Sequence, residues 1–135
     1  DEGTKVFGVT GHTHQYGTDV TLWKGTAEET GEPIYDFEVY DWDEPPVAFY
    51  DPPLEFSAGE GFRIQCSYVN TSGKSVGFGE SANEEMCFAW AYYYPAQGFQ
   101  ICASHPLLTQ YVGVETLCCP DDALCDLLLG FAGNL

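Results

Sequence analysis

Turn residues cut this chain into short runs of β-forming side chains, and only its tail is patterned for a helix. In "EGFRIQCSYVN" the alternation is clean: Phe62, Ile64, Cys66 and Tyr68 share one face, Arg63, Gln65 and Ser67 the other. "TKVFGVTG", "DVTLW", "PIYDFEVYDW" and "GFQICAS" read as further strands, and "EEMCFAWAYYYP" as a long one ended by Pro95. "DEPPVAFYDPPLEF" reads as a connection, because proline removes ladder donors and bars it from the middle of a sheet. "NTSGKS" is a turn. In "PDDALCDLLLGFAGN", Leu124, Leu127, Leu128 and Phe131 recur at helical spacing behind Pro120 and two aspartates. The expected fold is all-β, an antiparallel, jelly-roll-like β-sandwich with a short C-terminal helix. At 135 residues, it is expected to be a single domain over 1–135.

Charge removes one class of partner. Four Lys and Arg stand against 21 Asp and Glu, a formal net charge of −17, which repels nucleic acid. The acidic run from Glu28 to Glu60 lacks the spacing of a calcium loop and is expected to be a solvated face. No run approaches the roughly 18 apolar residues of a membrane span. No basic-then-apolar leader opens at Asp1, so any targeting segment is expected to have been removed or left out. Six cysteines without CxxC pairs read as disulfides of a secreted, periplasmic or cell-surface protein, and their spacing does not assign the pairs.

Two of the three histidines, His12 and His14, stand two apart in "GHTHQYG", where an extended backbone puts both on one face. The single methionine, Met86, directly precedes Cys87. Strand geometry groups Met86, Phe88, Trp90, Tyr92 and Tyr94 on one face, and Cys87, Ala89, Ala91 and Tyr93 on the other. Read alone, such a histidine pair is more often incidental than a metal site, and a methionine beside a row of aromatics is usually packing.

In combination, "GHTHQYG", "FRIQCSYVNTSGKSVGFGESANEEMC" and "YYYP" resemble the copper type II, ascorbate-dependent monooxygenases. This is the family of peptidylglycine α-hydroxylating monooxygenase and dopamine β-monooxygenase. The matching pieces keep the family's order over roughly residues 5–95 and correspond to its second, catalytic-copper domain. The resemblance implies that His12, His14 and Met86 hold one copper ion and that Cys66 and Cys87 form the adjacent disulfide. Two imidazoles and a thioether with an open position suit Cu(I).

Departures from the family narrow the expectation. Those enzymes carry a first domain whose three histidines bind the copper that supplies the second electron, and this stretch has only His105 left, expected as a loop residue. One copper delivers one electron and hydroxylation by dioxygen needs two, so a separate protein or small reductant, or peroxide, is implied. Thr10 stands where the peptide-processing members carry a carboxylate-gripping arginine, and Phe88 and Trp90 where they carry Asn and Tyr. Peptide amidation is therefore not expected. A face of Phe88, Trp90 and Tyr92 suits an apolar or aromatic substrate, or else a covering partner domain or second copy of the chain. The divergent tail over about 100–135 adds Cys102, Cys118, Cys119 and Cys125, expected as structural disulfides. Three roles stand open: a copper monooxygenase or oxidase, a non-catalytic copper carrier or scavenger, and a structural or assembly module.

Overall fold

The structure is a computed structural model that describes residues 3–26, 29–96, 98, 101–104 and 116–119. The chain forms two compact units, Asp1–Ala96 and Gln97–Leu135. The first holds six strands: β1 (Lys5–His12), β2 (Gly17–Gly25), β3 (Thr30–Tyr35), β4 (Val47–Glu55), β5 (Gly61–Tyr68) and β6 (Phe88–Tyr94). They make two antiparallel three-stranded sheets, ordered β4-β1-β6 and β3-β2-β5. The second unit contains an antiparallel pair, β7 (Ile101–Ser104) and β8 (Thr116–Cys119), in which Cys102 lies opposite Cys118.

β1 and β2 are the central strands, and the core lies between them. Val6 and Val9 from one sheet meet Val20 and Leu22 from the other, and Tyr35 closes the end of β3. Burying each such aliphatic side chain is worth roughly 1.5–3 kcal/mol. Of the alternating residues in β5, Ile64 and Cys66 pack on this core, and Phe62 and Tyr68 at the strand ends stay exposed. In β6 the small-residue face packs inward through Ala89, Ala91 and Tyr93, leaving Trp90, Tyr92 and Tyr94 outward. The all-β antiparallel expectation therefore holds, and a disulfide, Cys66–Cys87, ties β5 to the approach of β6. Among the described residues there is no helix. The helix expected over 120–134 lies outside them, as do His105 and Cys125.

Three segments differ from their sequence reading. The proline-rich stretch is not a mere connection but the strand β4, which proline permits because it is an edge strand. Its ladder with β1 jumps from Leu54 opposite Val6 to Phe49 opposite Gly8, and Pro52 and Pro53 fall in the gap. The run of β-formers after Ile34 stops being a strand at Tyr35. Beyond it the chain is held by single bonds: Tyr35 donates to the Pro46 carbonyl (2.9 Å) and the Asp43 N–H to the Asp41 carboxylate (3.0 Å). Phe37 and Tyr40 still fold back onto the core. Finally, β6 begins at Phe88, so Met86 and Cys87 precede the strand instead of lying on it.

Candidate metal centre

His12 is the last residue of β1, opposite Phe88 of β6, so a central strand delivers it to the sandwich edge. The chain then reverses in a tight turn, closed by the Gly17 N–H donating to the His14 carbonyl (2.9 Å). A side chain at Gly17 would overlap that of Thr13, so this turn admits only glycine without rearrangement. Thr13 itself is fully buried. Its N–H donates to the Tyr40 hydroxyl at 3.1 Å, and the two hydroxyls share a second bond of 3.1 Å. The residue between the histidines is thus pinned inward. The two imidazoles meet edge to face, their centroids 5.2 Å apart.

His14 is buried, and its Nδ1 lies 3.0 Å from the Glu84 carbonyl oxygen. A carbonyl only accepts, so Nδ1 carries the proton and the lone pair sits on Nε2. This is the way a metal-binding histidine is commonly oriented, by a hydrogen bond to its other ring nitrogen. The pKa of His12 is lowered, first by burial and then by the neighbouring His14, with Glu85 acting in the opposite direction. Lowering favours the neutral ring, the form that binds metal.

The segment before β6 is fastened to this turn. The Glu85 carboxylate accepts the His14 N–H (3.0 Å) on one oxygen and the Tyr16 N–H (2.8 Å) on the other. Gln15 donates to Asn83 at 3.0 Å. One residue further, the Met86 carbonyl accepts from the Tyr68 hydroxyl (2.8 Å). That phenol is pushed up to about 12, chiefly by burial and then by Glu85 and Tyr40, so it stays a donor at neutral pH. Met86 is half-buried and lines an open hollow of about 370 Å³ with Tyr16, Tyr68, Phe78, Glu85 and Cys87. Among the described residues no three His, Cys, Asp and Glu side chains gather as a metal site.

Of the residues singled out in the sequence, the structure brings His12 and His14 together and sets the backbone next to Met86 on the His14 turn. Phe88 is half-buried beside His12 in the ladder and packs on Phe78, the ring centroids 6.1 Å apart. Trp90 and Tyr92 continue along the outer face opposite Thr10 and Gly8, and Phe7 stacks on Tyr92 and Tyr94. The Thr10 hydroxyl is committed to the Pro46 carbonyl (2.8 Å) and presents no charge to this face. Sequence reasoning gave no role to Glu85, Tyr68 and Tyr40, although the first two stand within its motifs; Glu85 and Tyr40 hold the turn, and Tyr68 holds the Met86 carbonyl. The available signal was that Glu85 directly precedes the sole methionine in the motif, but nothing among 21 acidic residues marks it as the one that bonds to the histidine turn.

A comparison with curated proteins finds no match to the chain. The family model described as copper type II ascorbate-dependent monooxygenase, C-terminal domain, matches residues 1–112. The motifs of the histidine turn, the Cys66–Cys87 disulfide and the methionine segment all fall inside that match. The chain belongs to the copper type II ascorbate-dependent monooxygenases, as a C-terminal domain of that family.

Proposed function

We propose that this copper-dependent monooxygenase domain holds one copper ion through His12, His14 and Met86, and oxidises an apolar or aromatic substrate laid on the face of Phe88, Trp90 and Tyr92. The observation that carries the reading is the clasp between the histidine turn and the methionine segment, in which Glu85 accepts the His14 and Tyr16 N–H groups. When bound, the copper supplies one-electron redox chemistry toward dioxygen or peroxide. Everything else falls to the chain. The Glu84 carbonyl keeps the His14 proton on Nδ1 and its Nε2 available. Phe88, Trp90 and Tyr92 offer ring surface for stacking, worth about 0.5–1.5 kcal/mol per aromatic pair beyond area burial. Thr10 offers no cation for a substrate carboxylate, which favours uncharged substrates. A small-molecule or protein reductant provides the second electron. The disulfide fits an extracellular or lumenal domain.

The test is anaerobic Cu(I) titration followed by X-ray absorption on the wild type and on Met86→Ile. One copper with a sulfur scatterer that disappears in Met86→Ile supports the ligand set, and a wild type that binds no copper with its disulfide intact overturns it. Bound copper without any turnover of reductant in the presence of aromatic substrates would assign the site to copper carriage.

A further inference from the structure

We infer that Glu85 is a positioning residue: its carboxylate clasps the His14 and Tyr16 backbone N–H groups and thereby sets the Met86 sulfur in register with the histidine pair. The inference rests on the His12–His14–Met86 reading and concerns what enforces it. Met86 lies outside β6, so no strand ladder fixes it. On its C-terminal side the backbone is held by Cys87 in the disulfide, and its own carbonyl by Tyr68. Cys66, the disulfide partner, and Tyr68 both belong to β5, in the sheet opposite β1, and the nearest ladder contact with β1 is Phe88 opposite His12. The clasp that joins this segment directly to the residues after His12 is made by neighbours of Met86. Glu85 makes two such bonds with charge-assisted acceptors, at 3.0 and 2.8 Å, while Glu84 contributes its carbonyl and Asn83 its amide oxygen. Bonds to an ionised acceptor are roughly twice as strong as neutral ones. Both donors are main-chain groups of the turn itself, so the carboxylate reads the position of the turn and not the rotamer of a side chain. Its two carboxylate oxygens are divided between those two N–H groups, while its backbone bonds to Gly77 and Gly79.

Glutamine distinguishes this role from mere bulk. Its amide oxygen accepts one N–H, but its nitrogen is a donor and faces the other N–H unproductively. Loss of an outer partner of a metal ligand typically lowers affinity by roughly 10- to 100-fold.

The experiment uses the wild type, Glu85→Ala, Glu85→Gln and, as a charge-matched control in the same segment, Glu80→Ala. Each is loaded anaerobically with Cu(I) for affinity and X-ray absorption, and the copper-free forms are examined by hydrogen exchange at the His14 and Tyr16 amides. Expected in Glu85→Ala are nitrogen scattering retained, sulfur scattering lost, affinity lower by roughly 10- to 100-fold, and faster exchange at both amides. Glu85→Gln should fall between, with only one amide exposed, and Glu80→Ala should match the wild type. Should Glu85→Ala fail to fold, Glu85→Gln carries the same readings. Wild-type sulfur scattering and amide protection in both Glu85 variants would overturn the inference alone. A wild type that binds copper without sulfur overturns the ligand reading and this inference together.

Discussion

Removing one oxygen from Tyr40 should unsettle the turn between the two histidines. Tyr40→Phe keeps the ring and its place against the core, so little apolar packing is lost. What disappears is the acceptor of the Thr13 N–H and the partner of the Thr13 hydroxyl, each at 3.1 Å, at a residue with 0% exposure. The hydroxyl can rotate toward another acceptor, but the N–H cannot. A buried donor left unsatisfied costs about 1–3 kcal/mol. For a unit of this size that corresponds to a fall in Tm of roughly 4–24 °C, taking about 4–8 °C per kcal/mol. Urea unfolding should show a lower midpoint with an unchanged slope, and the Thr13 amide should lose protection in hydrogen exchange. Tyr50→Phe is the companion, because it removes a donor to the Ile34 carbonyl (2.6 Å) and deprives no N–H of its acceptor. A Tyr40→Phe variant destabilised by less than about 0.5 kcal/mol, the range of ordinary surface changes, with its Thr13 amide still protected, would refute the reasoning.

Other outcomes follow from the same geometry. Gly17→Ala drives a methyl group into the Thr13 side chain, and thermal unfolding should register a loss of about 1–3 kcal/mol, as for other overpacked sites. Replacing Cys66 and Cys87 together by serine removes a cross-link of sequence separation 21, and denaturant unfolding should show a cost of about 3 kcal/mol by the chain-entropy relation. Glu60 has its pKa drawn below 4.5 by the Ser57 N–H first and then by Lys24. Its folded value lies below its unfolded one, so its contribution is complete above about pH 4.5 and is lost as pH falls through the lowered folded value. Glu60→Gln should therefore flatten the stability–pH curve on its acid side and leave its shape above pH 5 unchanged, as read by unfolding in a buffer series.

Legibility followed the physics of each segment. The alternation of β5 and β6 was visible in the sequence because one face of each strand packs on the core, and Ile64, Cys66, Ala89 and Ala91 stand where period two puts them. β4 was hidden because its prolines argue against a ladder, and the argument holds only for central strands. The residues after Tyr35 have strand propensity but no strand partner, and their aromatic side chains reach the core from irregular backbone. The histidine pair was legible as a local motif. The clasp that brings residues 83–85 to it was not, since Glu85 and the His14 backbone are 71 positions apart and nothing local marks one carboxylate as the one that arrives.

That separation gives the Cys66–Cys87 bond a second consequence. In the ladder of β2 and β5, Cys66 lies opposite Val20, a few residues beyond the histidine turn. Once the sulfurs are joined, the route from that turn to Glu85 runs across one strand pair and the disulfide instead of along the whole intervening chain. A tether this short holds the two partners of the clasp at a high effective concentration, on the order of millimolar or above for short flexible links. The oxidised chain thus meets its own methionine segment as a near neighbour, whereas the reduced chain must find it by diffusion through a long loop.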